Sequence, residues 1–275
     1  MGMTPPLCCQ FAGLTAAITC SDTAVAHILY HHFQHCLASP SSSLAHYHIQ
    51  QTSTGWQLQR DQAILQMALN PLTLFEPLMQ AALQCLITPQ QQHLIFHAGG
   101  VAVAAQGILL CGPTGSGKST LVAQLLADGF TYLSDEVVAL PLDSLQLSGF
   151  ARSLVLKVGS AFLWQAAPTS DDLLFLPDGL TWISPTFWGH DCVQQQATPQ
   201  LLLFPRYEAN SALMLRPLSP ATAAFHLIQH LVNARNLPQH GLPVVKQLAQ
   251  TIPAYEIHFG DGLAVAAWLR QQLAA

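Results

Sequence analysis

Charge is what this chain has least of. Asp, Glu, Lys and Arg make up 8% of its 275 residues, against about a quarter in an ordinary globular protein. Only nine residues are Lys or Arg, and the net charge is −5. A phosphate backbone needs a basic face, so no nucleic-acid partner is expected. Long apolar runs are missing too. The most apolar window, residues 98–111, is short and is interrupted by Gly99, Gly100, Gln106 and Gly107. A membrane span needs about 20 apolar residues, so none is expected. The first residues lack a basic stretch, which argues against a secretory signal. Seven cysteines, an odd number with no C-x-x-C pair, fit reduced thiols and a cytoplasmic location better than a disulfide framework or a metal site. Neither internal repeats nor low-complexity tracts occur.

What is present is core. Apolar residues reach 51%, enough to exclude disorder, and Gln, His, Ser and Thr must carry much of the solvated surface. The length suits one large domain or a core domain with a smaller partner. Apolar periodicity predicts a helix over 24–36, a loop over 39–43, a hairpin over 46–50 and 55–58, and a mostly helical stretch over 62–84, broken near Pro71. Residues 94–98 and 101–105 read as strands separated by a turn at Gly99-Gly100. Gln106-Gly107 reads as a second turn, leading into a strand over 108–111. A short helix over 119–127 ends at Gly129, a left-handed cap. Strands over 130–133 and 137–140 flank Ser134-Asp135-Glu136. Further apolar runs follow at 154–157, 201–204 and 212–215, then a helix over 220–233, a strand over 255–259 and a closing helix over 263–273. The order predicts an α/β fold with a mixed, partly antiparallel sheet.

The segment CGPTGSGKST, residues 111–120, meets the pattern G-x-x-x-x-G-K-[ST] at Gly112, Gly117, Lys118 and Ser119. A strand precedes it and a helix follows, the context the pattern requires. Glycines let successive backbone N–H groups turn toward one point, and the start of the next helix adds positive potential. The loop Gly112-Pro113-Thr114-Gly115-Ser116-Gly117-Lys118-Ser119-Thr120 is therefore expected to cradle the phosphates of a nucleotide. Lys118 would reach the β- and γ-phosphates and Ser119 would ligate Mg²⁺. Asp135 and Glu136 follow a short strand soon after the helix, which places them at a strand end beside the loop. One could orient metal while the other accepts a proton from an incoming hydroxyl. His97, on a strand ahead of the loop, would by itself be an ordinary core or edge histidine.

The block HAGGVAVAAQGILLCGPTGSGKSTLVAQLLADGFTYLSDEVVAL, beginning at His97, resembles the catalytic core of the HPr kinase/phosphorylase family, and more closely the HprK-related kinases of peptide-modification and exopolysaccharide gene neighbourhoods. The stretch from Arg152 to Ser160 and the element Phe204-Pro205-Arg206-Tyr207 are similar to further runs of those kinases. The resemblance implies a P-loop core of the HPr kinase/PEP carboxykinase type over residues 86–275. Residues 1–85, an N-terminal α+β region, match nothing in it. By the same resemblance His97 lies near the phosphates, Lys118 and Ser119 serve nucleotide and magnesium, and Asp135 is the base. Glu136 stands where the family has a second aspartate and would bind metal with an arm one methylene longer. ATP and Mg²⁺ are the implied cofactors. A protein or peptide, including a ribosomal peptide with its chaperone, is the implied partner, and the family's oligomers imply a homo-oligomer. Arg152, Lys157 and Arg206 fall where cations could meet the γ-phosphate, with Arg206 cast as the transition-state arginine.

The remaining constellations read as scaffold or surface. His27, His31 and His35 recur every four residues on one helix face, as do His226 and His230. In a chain so short of charge they read as neutral polar surface. Asp171-Asp172 reads as a solvated turn or a helix start. Trp164, Trp182 and Trp188 lie in a segment, 160–200, that could form a substrate-facing flap. The leading reading is an ATP-dependent kinase acting on a serine or other hydroxyl of a protein or peptide. The alternatives are a nucleotide-binding scaffold without phosphotransfer and a small-molecule kinase.

Overall fold

The computed structural model describes residues 5–39 and 42–273. Pro40 and Ser41 of the expected loop lie outside them. An N-terminal layer contains β1 (Leu7–Phe11), β2 (Leu14–Cys20), α1 (Thr23–Phe33), β3 (His46–Thr52), β4 (Gly55–Arg60), β5 (Ala63–Ala68) and α2 (Phe75–Ile87). Its five strands pair in chain order, with only β2 and β3 parallel. Next come β6 (His93–Val103), β7 (Gln106–Cys111), α3 (Lys118–Ala127), β8 (Thr131–Ser134), β9 (Val137–Pro141) and β10 (Ser148–Gly149). The chain continues through β11 (Leu154–Leu156), β12 (Leu173–Phe175), β13 (Thr181–Ile183), β14 (Thr198–Tyr207) and β15 (Met214–Pro217). It closes with α4 (Pro220–His230), α5 (Leu242–Thr251), β16 (Ala254–Phe259) and α6 (Gly262–Leu273). The central sheet runs β10-β9-β6-β7-β14-β16-β15, with β8 also on β6. β14 is parallel to β7 and β16, and the other pairings are antiparallel. The fold is α/β with mixed sheets.

Helices α3 and α6 cover one face of the central sheet and α4 and α5 the other, each over its own apolar core. A third core joins the N-terminal layer to the rest. Phe33, Leu74, Phe75 and Leu86 pack with Ile95, Val137, Ala139, Phe150 and Trp182. Residue 85, where the N-terminal region was expected to end, lies inside α2. Among the described residues no helix is long and apolar enough to cross a membrane. All seven cysteines are buried.

Three expectations fail in this part of the fold. Residues 63–68 form a strand, although Ala, Leu, Gln and Met favour helices. Asp61 and Gln62 adopt φ of 46° and 77°, folding the chain back in a tight hairpin so that β5 pairs along β4. A 3-10 helix follows over Pro71–Leu74, and the α-helix begins only at Phe75. Gly99-Gly100 is likewise no turn, because β6 runs straight through it. A Cβ on Gly99 would lie 2.8 Å from Val122 Cγ2, and one on Gly100 3.0 Å from Val138 Cγ2. These glycines let α3 and β9 approach the strand. Gly107 is also inside a strand, where its Cβ would crowd Leu147 and Ala197.

The β6–β7 turn is made by Ala104 and Ala105 at φ 48° and 65°, a conformation that costs a residue with a Cβ about 1–2 kcal/mol. Ala105→Gly should therefore raise stability by about 0.5–1 kcal/mol, read as a higher urea midpoint at unchanged slope. An equal or lower midpoint would contradict this turn geometry.

The segment 160–200 is not a flap as a whole. Phe162 does line the cleft described below, but Trp182 is fully buried on β13 and Trp164 nearly so, and β11, β13 and β12 form a small sheet. Asp171 and Asp172 do form a turn with Asp171 exposed, but Asp172 is tied to its neighbours. It accepts from Thr186 Oγ1 at 2.6 Å and sits 3.1 Å from His31 Nε2. Nor does α1 present a plain polar face. His32 is buried with Nδ1 2.7 Å from Ser153 Oγ, its ring edge-on to Trp182. His31 and His32 thus hold the N-terminal layer onto the rest, while His27 stays exposed. Among the described residues no group of three His, Cys, Asp or Glu could hold a metal.

Burial, with help from His31, drives the His32 pKa down from 6.5 to about 3. The unfolded chain then binds the extra proton below its own pKa, so this residue's stabilisation is complete above pH 6.5 and is lost as pH falls toward 3. Between about pH 7 and about pH 5 the urea midpoint should drop, at up to about 1.4 kcal/mol per pH unit. His32→Gln should flatten that slope. A slope identical in both proteins would place the titrating group elsewhere.

Candidate active site

β7 delivers the chain to the glycine loop and α3 takes it away, so the loop sits at the end of a central strand. Gly115 and Gly117 have φ of +86° and +89°, a left-handed conformation that other residues adopt only under strain. The loop is pinned at both ends. Ser116 N donates to the Pro113 carbonyl at 3.2 Å, and Tyr207 N on β14 donates to the Ser116 carbonyl at 3.1 Å. A Cβ on Gly112 would lie 2.7 Å from Ser116 Oγ, and one on Gly117 2.8 Å from Tyr207 Cβ. Lys118 is buried and its Nζ donates to the carbonyls of Gly112 and Pro113. Burial lowers its pKa against the pull of Cys111, Glu136 and Asp135. Ser116 Oγ is buried with no hydrogen-bond partner. An orphaned hydroxyl, two left-handed glycines and a lysine turned onto the loop itself are features that suit a phosphate chain.

This loop forms one wall of a cleft of about 540 Å³. Pro113, Thr114, Gly115, Gly117, Lys118, Ser119 and Thr120 line it. His97, Asp135, Glu136 and Lys157 come from other elements, so most of the residues singled out from sequence share this one cavity. β6 is one strand over from the loop and sets His97 beside Val137 of β9. The β8–β9 connection passes the same strand, and Ala98 N donates to the Glu136 carbonyl at 3.2 Å.

The two acids differ sharply. Asp135 is buried, and both its oxygens accept: Oδ1 from the Tyr132 hydroxyl at 3.0 Å and Oδ2 from Val155 N at 3.2 Å. Glu136 is about one-third exposed, with Oε1 3.6 Å from His97 Nδ1 and Oε2 3.3 Å from Arg152 Nη2. Magnesium is ordinarily held by one or two carboxylates together with substrate phosphates. Ser119, Asp135 and Glu136 offer hard oxygens of that kind in one cleft.

Two expected cations lie elsewhere. Arg206 is not on the cleft wall. It alternates with Tyr207 along β14, so Tyr207 faces the cleft while Arg206 faces the other way. There it pairs with buried Glu256 at 2.9 Å, a carboxylate it shares with Arg216 and His258. Arg152 is buried behind the acids instead of facing solvent. Sequence reasoning also passed over Gln124, Phe162 and Gly260, which line the cleft, and Tyr132, which holds Asp135. Only Tyr132 left a signal, a tyrosine inside a short strand just before the acids. His230, taken as surface, lies near enough to feel Lys118 and His97. With burial first, these push its pKa down to about 4, so it is neutral near pH 7.

No protein-family model matches the chain, and no curated protein sequence matches it. Among solved structures, the HPr(Ser) kinase/phosphatase of Coxiella burnetii is similar, at 16% identity over 66% of this chain and 90% of that one, with a TM-score of 0.34.

Proposed function

We propose that the chain is an ATP-dependent kinase that moves the γ-phosphoryl group to a serine or other hydroxyl of a protein or peptide. The observation that carries this reading is the shared cleft: Lys118 and Ser119 on a glycine loop, across from Asp135 and Glu136. In the proposed reaction the acceptor oxygen attacks phosphorus, the β–γ bridging bond breaks, and ADP leaves. Asp135 takes the hydroxyl proton. Lys118 and Lys157 balance charge on the transferring group. His97 steadies Glu136 from 3.6 Å. Mg²⁺, held by Ser119 and Glu136, would supply neutralisation of the phosphate oxygens. Most of the rate would come from positioning and fixed charge.

A second reading has its own support. Among the described residues no arginine lines the cleft, as a nucleotide-binding scaffold without transfer would allow. Incubation with γ-labelled ATP, Mg²⁺ and candidate peptides separates the two. Label on a hydroxyl acceptor supports the kinase. Tight nucleotide binding with no label on any polypeptide supports the scaffold, and label on a free sugar or nucleoside would make it a small-molecule kinase.

A further inference from the structure

Arg152 has no face on the cleft, and its surroundings give it a different task. Its side chain is 1% exposed, with Nη2 3.3 Å from Glu136 Oε2 and 3.9 Å from Asp135 Oδ1. Nη1 donates to the Ser153 carbonyl, and Nε has no partner. The Trp182 ring covers the guanidinium at 5.8 Å. Trp182 is itself held by a hydrogen bond from Nε1 to Glu76 Oε1 on α2 at 2.8 Å. The backbone takes part as well, since the Tyr132 hydroxyl lies 3.0 Å from both the Arg152 carbonyl and Asp135 Oδ1. Burial works against the charge, but Asp135, Glu136, Tyr132 and Glu76 together outweigh it and raise the arginine's pKa. The group is a permanent cation with nowhere to move.

Such a cation cannot follow charge onto a transferring phosphoryl group. It can balance the acids that do face the cleft. Two carboxylates alone carry −2 beside a triphosphate, room for the second divalent ion that protein kinases hold and P-loop NTPases lack. A fixed guanidinium leaves −1. We propose that Arg152 is a positioning residue that supplies one resident positive charge to the Asp135–Glu136 pair, so that the cleft takes a single divalent cation with its nucleotide. The N-terminal layer, through Glu76 and Trp182, seals that charge from water. The inference rests on the kinase reading for the nucleotide itself.

Electron paramagnetic resonance of Mn²⁺ tests it on the full chain with a non-hydrolysable ATP analogue. The wild type should bind one Mn²⁺ per chain in an analogue-dependent way. Arg152→Gln should bind two, and Arg152→Lys should return the count to one, which a merely structural role would not do. Two ions on the wild type would overturn the proposal, as would a count of one in Arg152→Gln. Should Arg152→Gln fail to fold, Arg152→Met takes its place with the same expected count of two, and two ions on the wild type or on the Lys variant overturn the proposal. No analogue-dependent Mn²⁺ on the wild type would instead bring down the nucleotide reading, and this inference with it.

Discussion

Asp135→Asn is expected to cut label transfer from γ-labelled ATP about 10²- to 10⁴-fold, the share a positioned base contributes, while a non-hydrolysable analogue still binds within a few-fold. Asparagine is nearly isosteric, so the glycine loop is untouched. What it lacks is a site for the acceptor's proton. It also removes one of the two charges beside Arg152, which is 1% exposed. Taking one partner from a buried ion pair costs about 3–5 kcal/mol. Glu136 remains 3.3 Å away, so the lower end of that range is expected. A melting curve beside the transfer assay separates the two effects. Transfer within tenfold of wild type in a folded protein would remove Asp135 from the role of base.

Gly149→Ala should have the largest effect on the fold. A Cβ there would stand 1.9 Å from the Leu133 carbonyl oxygen, 2.3 Å from its carbon and 2.9 Å from Ser134 Cβ. The obstacle is backbone, so no rotamer change relieves it, and β10 must part from β8. Overpacking of this kind costs about 3 kcal/mol or more. Because Ser134 leads directly into Asp135, the acids should shift as well, and analogue-dependent Mn²⁺ binding should weaken alongside the loss of stability. Gly159→Ala is the control for stability, since nothing lies within 4 Å of its added Cβ. A Gly149→Ala protein that melts with the wild type would mean that β8 and β10 do not meet as described.

Some of this was legible before any coordinates. The glycine loop, its strand and its helix form a local unit. The identity of six or seven adjacent residues sets the turn, and β7 and α3 stand where the apolar pattern put them. Asp135 and Glu136 were legible for a similar reason. A helix, a turn at Gly129 (φ +87°) and a four-residue strand leave the chain few routes back to the loop. Gly99 and Gly100 misled because glycine serves turns and close packing alike, and only the positions of Val122 and Val138 tell which. The hairpin β4–β5 misled because residues with helical preference were captured by a neighbouring strand edge.

Local sequence, then, determined the glycine loop and the acids beside it, because those features depend on backbone freedom and on short connections. Tertiary structure alone decided what each cation does. Arg152 and Arg206 are indistinguishable as letters, each close to a short apolar run. One is sealed behind the carboxylates by Trp182 and Glu76, and the other is turned to Glu256 by the alternation of β14. A charge acts through distance and burial, and both are set by residues far away in the chain.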